Sequence, residues 1–226
     1  MNKEMFERSI GLLGEGNFNL IQDKVIAVFG LGGVGGTALE ALARTGFQHF
    51  LIVDFDKVDA TNLNRQILYT SKDVGRNKVE VAKERILSIN PDVKITTFNL
   101  KAQEFDFDQK IDFIADAIDD VEGKLYIAKK AQENKIPSIM SLGMANRFNP
   151  EQVKVAKLNQ THNDPLAKKI RYMAKKAELD LSKINVVISE EVPQSNREKL
   201  YSTMMVPSAA GLTIAKFILH SIIDNK

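Results

Sequence analysis

Apolar residues along the chain come in two forms: short unbroken runs, and longer stretches in which they recur every three or four positions. The runs Val25-Ile26-Ala27-Val28-Phe29, Phe50-Leu51-Ile52-Val53 and Phe113-Ile114-Ala115-Asp116-Ala117-Ile118-Asp119-Asp120, the last running into acids, are short and rich in β-branched or aromatic side chains, which predicts strands. Lys94-Ile95-Thr96-Thr97-Phe98 alternates polar and apolar residues and predicts another, and Ile136-Pro137-Ser138-Ile139-Met140 a fifth. Between them the period changes. Ala38-Leu39-Glu40-Ala41-Leu42-Ala43 follows the first strand as a helix. After Gly75-Arg76-Asn77-Lys78, the residues Val79, Ala82, Ile86 and Ile89 share one helical face until Asn90-Pro91-Asp92 ends it. Residues 124–134 form a third helix with Asp120 placed to cap it. Strand and helix in alternation predict an α/β fold, a Rossmann-like, doubly wound and mainly parallel sheet with right-handed crossovers.

The rhythm shifts at both ends. Before the first strand, residues 6–15 read as a short helix or arm leading into a second helix near 16–21. Beyond Gly143, Val153-Lys154-Val155-Ala156 and Val186-Val187-Ile188-Ser189 predict two later strands, and residues 165–177 a helix whose apolar face is Ile170, Met173, Ala174 and Ala177. Ser195-Asn196-Arg197-Glu198 reads as a loop, and a last helix opening at Pro207 is apolar nearly all round, the pattern of a buried or subunit-interface helix. The expected organisation is one unit over 1–226: a helical arm over 1–23, a nucleotide-binding core over 24–142 and an extension over 143–226.

Composition narrows the chemistry. A chain of 226 residues can bury about 70% of its unfolded surface, enough for one sizeable α/β domain. With no cysteine there are no disulfides, thiolate nucleophiles, cysteine-based zinc sites or thioester intermediates on this chain. A net charge of +2 supplies no global field for nucleic acid, so any RNA contact has to come from a local patch. Met1-Asn2-Lys3-Glu4 lacks the apolar core of a signal peptide, and Lys216 and His220 interrupt the apolar C-terminal segment, so the expectation is a cytoplasmic protein without a membrane partner.

The candidate site starts at the first strand. Gly30-Leu31-Gly32-Gly33-Val34-Gly35 between strand and helix allows a tight turn, close approach of a ligand, and an anionic or polar group at the helix start. The same glycines could serve packing alone. Asp54 and Asp56 close the second strand, and Asp54, about twenty residues on, is where a ribose-binding acid belongs in a dinucleotide site. To this point a nicotinamide-dependent oxidoreductase fits equally well. The segment Asn62-Leu63-Asn64-Arg65-Gln66 has no helical period and is dense in hydrogen-bonding groups, which such a domain does not need. Lys78 opens a helix, where a cation gains nothing from the helix dipole and a bound phosphate explains it better. Asp116, Asp119 and Asp120 at the end of the fourth strand suit Mg²⁺, with Asp120 better read as the helix cap. Lys168, Arg171 and Lys175 form a stripe with Lys169 and Lys176 beside it, either a solvated face or a nucleic-acid contact. His49, His162 and His220 stand apart from one another, and the phenylalanines and tyrosines read as core.

Taken together, the glycine loop, Asp54-Phe55-Asp56, Asn62 to Gln66, Gly75 to Lys78 and Ala117-Ile118-Asp119 resemble the ThiF/MoeB/HesA superfamily of ubiquitin-activating-enzyme-like adenylyltransferases. Within it the chain is most similar to the branch of tRNA threonylcarbamoyladenosine dehydratases, through residues 8–15 and 143–150, Asp164-Pro165-Leu166-Ala167 and Val206-Pro207-Ser208-Ala209-Ala210-Gly211. The resemblance implies ATP as co-substrate. It places Gly30, Gly32, Gly33, Gly35, Asp54, Asp56, Asn62, Arg65, Gln66 and Lys78 around the nucleotide, with Asp54 on the ribose. Arg65, Lys78, Asp119 and Arg8 would be catalytic, with Asp119 on Mg²⁺ and Arg8 reaching an ATP site, often across a homodimer. A monovalent cation, K⁺ or Na⁺, is implied too, with ligands no residue here identifies. The implied reaction is ATP-dependent cyclisation of threonylcarbamoyladenosine in tRNA through an acyl-adenylate. The alternative in the same superfamily is adenylation of the C-terminal carboxylate of a ubiquitin-like or sulfur-transfer carrier protein, whose enzymes commonly use cysteines that this chain lacks.

Overall fold

The computed structural model describes residues 3–162, 164–194 and 199–224; the expected loop at 195–198 lies outside them. Among the described residues seven strands form one sheet: β1 (Val25–Phe29), β2 (His49–Val53), β3 (Lys94–Phe98), β4 (Phe113–Asp116), β5 (Ser138–Ser141), β6 (Val153–Lys157) and β7 (Asn185–Ser189). Their spatial order is β3-β2-β1-β4-β5-β7-β6, and every pairing is parallel except β6 with β7. Among the described residues seven α-helices accompany them: α1 (Glu7–Leu13), α2 (Glu15–Gln22), α3 (Gly33–Thr45), α4 (Lys78–Ile89), α5 (Val121–Glu133), α6 (Pro165–Lys176) and α7 (Met205–Ile223).

The strand runs are apolar because the central strands are covered on both sides. In β1, Ile26 and Val28 face a core built with Leu39 and Leu42 of α3 and Ile214 of α7, whereas Ala27 and Phe29 face the opposite core with Phe105 and Ile127. A third cluster beneath β5 and β7 takes Ala167 and Ile170 from α6. The antiparallel edge strand β6 carries exposed Lys154 and a half-buried Lys157, which protects an otherwise open edge.

Several boundaries move for identifiable reasons. Helix α3 begins at Gly33, inside the glycine run, because that turn is pressed against neighbouring backbone where larger side chains have no room. Helix α5 starts at Val121, with the Asp120 carboxylate accepting from the backbone N–H groups of Glu122 and Gly123. Residues 57–66 are not plain loop: Lys57 bridges Asn77, and Ala60–Asn62 forms a 3₁₀ turn in which the Asp59 and Asn62 side chains cap each other's backbone.

Helix α7 is long and apolar enough to cross a membrane by length and composition. One face packs into the core, with Val206, Ala210, Ile214 and Ile218 buried and Met205 and Leu212 left exposed, and Gly211 is so close to α3 that an added Cβ would lie 2.4 Å from the Val34 carbonyl oxygen.

Candidate active site

The order of the strands creates the site. From β1 the chain crosses to β2 on one side, and β4 lies on the other, so the carboxyl ends of β1 and β4 diverge into a crevice at the topological switch point. The loop leaving β1 is fitted to it by two glycines. Gly30 has φ +82°, and a Cβ there would meet the Ala117 carbonyl and the Ile118 nitrogen at 2.8 Å. At Gly35 a Cβ would fall 1.8 Å from the Gly30 oxygen. The turn therefore lies against the β4 end, with the first N–H groups of α3 opening toward the crevice.

Asp54, at the end of β2, anchors this loop. Its Oδ2 accepts from Leu31 N–H at 2.6 Å and its Oδ1 from Asp56 N–H at 2.8 Å. Burial raises its carboxyl above the ordinary carboxylate value, and the nearby Lys78 charge opposes that rise. Each oxygen keeps acceptor capacity toward a ribose hydroxyl. Lys78 is buried at the start of α4 and its Nζ pairs with Asp56 Oδ2 at 2.7 Å. The unusual position of this lysine thus has an explanation inside the chain, an ion pair with Asp56, besides the phosphate expected from the sequence.

The segment after Asp59 lies beside the glycine loop. A Cβ at Gly33 would meet the Arg65 carbonyl oxygen at 3.0 Å and the Arg65 Cγ at 3.7 Å, and one at Gly32 the Gln66 Nε2 at 3.7 Å. Arg65 donates through Nη1 to the Thr61 carbonyl at 2.7 Å and to Asn64 Oδ1 at 3.0 Å, so its guanidinium stands at the crevice rim on a stiffened stem. Gln66 is buried and its Oε1 has no partner. Asn62 spends its Oδ1 on Asp59 N–H at 3.1 Å.

The three acids expected near Mg²⁺ separate. Asp116 is buried in an ion pair with Lys124 Nζ at 2.9 Å, itself fully buried, and is removed from the metal set; its surroundings raise its pKa by burial. Asp120 caps α5 and accepts from Gln103 Nε2 at 2.9 Å. Asp119 remains, exposed, with no hydrogen bond or ion pair among the described residues. Among the described residues no group of three acidic or histidine side chains forms a metal cluster.

Arg8 is not brought to this site. Phe6 packs on Phe18 with centroids 5.4 Å apart, and the Phe18 ring lies 2.4 Å from where a Cβ on Gly46 would sit. Gly46 ends α3, about 20 Å along a thirteen-residue helix from Gly33. In α6, Lys168, Lys169, Lys175 and Lys176 are exposed, but Arg171 leaves the expected stripe to donate to the Thr161 carbonyl at 2.8 Å.

The tertiary structure adds contacts that the sequence did not announce. Tyr69 donates to the Leu31 carbonyl at 2.9 Å. Arg147 pairs with Asp164 at 3.3 Å, both buried, which joins the 143–150 segment to the start of α6. Asn146 N–H donates to the Tyr201 carbonyl at 2.7 Å, and Asn64 Nδ2 to the Ser202 carbonyl at 2.9 Å, so residues 201–202 tie that segment to the one carrying Arg65. None of these partners lies at a recognisable sequence spacing.

Comparison with known proteins agrees with this architecture. The chain is 32% identical over 242 residues to the tRNA threonylcarbamoyladenosine dehydratase of Bacillus subtilis, covering 97% of this chain and 95% of that protein. It is 38% identical over 173 residues to the Escherichia coli protein of the same name, covering 75% of this chain and 65% of that one. The crystal structure of the E. coli dehydratase TcdA in complex with ATP superposes with a TM-score of 0.92 at 31% identity, over 99% of this chain and 95% of that one. The ThiF family profile matches residues 6–217, and the chain belongs to the ThiF family.

Proposed function

We propose that this protein is an ATP-dependent tRNA threonylcarbamoyladenosine dehydratase. One observation carries the reading: the chain matches a dehydratase of that name along nearly the whole length of both, and a dehydratase solved with ATP has the same fold over 99% of this chain.

The chain's own groups suit an adenylation. Asp54 orients the ribose, and the free N–H groups at the start of α3 receive phosphate oxygens. Arg65 and Lys78, with Asn62, supply cationic and polar stabilisation as charge gathers on the α-phosphate, the need that dominates nucleotidyl transfer. Lys78 stays neutralised by Asp56 until a phosphate competes for it. The carboxylate of the threonyl group attacks the α-phosphorus, pyrophosphate leaves, and an acyl-adenylate forms. The neighbouring ureido group then attacks the activated carbonyl carbon and expels AMP, so the ring closes with net loss of one water. No step needs a protein nucleophile, in keeping with a chain that has no cysteine.

Mg²⁺ fits Asp119, a carboxylate just beyond β4 with no partner among the described residues, since that ion takes one or two carboxylates and completes its shell with phosphate and water. There it would neutralise charge on the phosphate oxygens. Arg8, at the far end of α3 from its own glycine loop, serves the site of a second copy in a homodimer. The four exposed lysines of α6 provide the local basic patch that the near-neutral chain otherwise lacks for tRNA.

The test is incubation with ATP, Mg²⁺ and tRNA carrying threonylcarbamoyladenosine, followed by digestion and mass spectrometry of the nucleosides. The modified nucleoside is expected to lose the mass of one water with AMP and pyrophosphate released; an unchanged nucleoside overturns the assignment.

A further inference from the structure

We propose that Tyr69 is a positioning residue for the nucleotide loop, its hydroxyl fixing the Leu31–Gly32 peptide so that the Gly32 N–H faces the ligand crevice. The proposal rests on the nucleotide-site reading above and extends it to a residue outside the expected set.

Leu31 is fully buried and its backbone is held from both sides. Its N–H donates to Asp54 Oδ2 at 2.6 Å, and its carbonyl accepts from the Tyr69 hydroxyl at 2.9 Å. In a trans peptide the carbonyl and the following N–H point to opposite sides. Holding the Leu31 oxygen toward the protein therefore turns the Gly32 N–H away from it. That N–H donates to no group among the described residues. The space where a Gly32 side chain would stand is open except for the Gln66 amide at 3.7 Å.

An anchor is needed because the bonds that hold the flanking glycines, Gly30 N–H to the Val53 carbonyl at 2.8 Å and Gly36 N–H to the Gly32 carbonyl at 2.9 Å, do not reach the Leu31–Gly32 peptide. Gly30 on one side and Gly32 and Gly33 on the other permit the intervening peptide plane to rotate at little steric cost. An Asp54 bond to the Leu31 N–H fixes the peptide before Leu31; among the described residues Tyr69 is the one side chain that fixes the peptide after it. Tyr69 comes from the same segment that carries Arg65 and Gln66, and its N–H donates to the Gln66 carbonyl at 3.3 Å. One stretch of chain thus supplies groups at the ligand side of the loop and a prop on its protein side. The competing account is a buried tyrosine that merely satisfies its hydroxyl.

Tyr69→Phe in the full-length protein keeps the buried ring and removes only the hydroxyl. If Tyr69 positions the loop, the KM for ATP rises about 10-fold, the loss expected for one directed hydrogen bond. The kcat at saturating ATP stays within about two-fold and the KM for tRNA does not move. A variant that loses thermal stability with an unchanged KM for ATP overturns the proposal in favour of plain packing. A second measurement needs neither turnover nor a folded variant: in nucleotide-free wild type, the Tyr69 hydroxyl proton should exchange slowly with water and the Gly32 amide should give one sharp resonance. A rapidly exchanging hydroxyl or a Gly32 amide split between orientations overturns the clamp. Absence of ATP binding by the wild type, with those two signals as expected, overturns the nucleotide reading and leaves the clamp standing.

Discussion

In the function proposed above, Arg65 meets the phosphate from a position its own turn already fixes. Its Nη1 bonds to Thr61 and Asn64 hold the guanidinium within its own turn, which lowers the entropy lost on gripping a phosphate. Arg65→Ala is expected to lower kcat by about 10²-fold with little change in Tm, because charge develops at the phosphate in the transition state and the fold does not depend on the exposed head. Pyrophosphate release under saturating ATP measures it, and a kcat near wild type would remove Arg65 from the chemistry. Asp54 makes a different prediction. Its carboxyl titrates above its ordinary value in the folded chain because burial outweighs the help from Lys78. The folded state therefore binds that proton more tightly than the unfolded state, and the associated stability is present at low pH and lost as pH rises from about 4 through the raised value. Denaturant titrations of wild type and Asp54→Asn across that range should show the wild type losing ground as pH increases; a flat difference contradicts the assigned direction. At this scale residue types at known offsets were legible: Gly30, Gly35 and Asp54 stand where a strand, turn and helix demand them. The partners of Lys78 and Asp116 were not, because Lys78 with Asp56 and Asp116 with Lys124 join different elements, and no local period records such contacts.

At the scale of elements, α7 and α3 form the closest helix contact in the molecule that bears on the site. A Cβ at Gly211 would lie 2.4 Å from the Val34 oxygen and 2.7 Å from the Thr37 Cβ, and Val34 belongs to the first turn of α3. Gly211→Leu is expected to cost about 1–3 kcal/mol through overpacking and, by shifting that turn, to raise the KM for ATP as well. Thermal unfolding and ATP kinetics check the two effects together; stability lost with an unmoved KM would separate helix packing from loop position. The periods of the main helices were plain in the sequence, as was the Asp120 cap of α5. The start of α3 was not, since four residues from Gly33 to Gly36 include three poor helix formers and only close packing makes a helix there favourable. The departure of Arg171 from the basic stripe was hidden for a related reason: its partner Thr161 lies outside the helix.

At the scale of the molecule, Arg8 offers the decisive experiment. Anchored by Phe6 on Phe18 at the far end of α3, it can complete only the site of another copy if it acts in catalysis. Arg8→Ala and Arg65→Ala are each expected to be nearly inactive. If the protein forms the homodimer proposed above, the two refolded together in equal amounts should recover about one quarter of wild-type activity, because half of such dimers are mixed and each mixed dimer holds one intact site of two. Recovery of none would place Arg8 within its own subunit's site, and an Arg8→Ala variant that is active by itself would place Arg8 outside the chemistry.

The sequence by itself determined which segments become strands and helices, that the sheet is mainly parallel, and that a glycine turn joins the first strand to its helix with Asp54 at the end of the second strand. These are properties of short stretches, where the spacing of apolar residues and the backbone freedom of glycine act locally. The tertiary structure alone decided the strand order β3-β2-β1-β4-β5-β7-β6, the antiparallel direction of β6 and the commitment of Asp116 to Lys124. It also decided the clamp of Leu31 between Asp54 and Tyr69. Each of these depends on which distant surfaces meet when the core closes, and burial energy acts on the assembled layers without leaving a pattern along the chain.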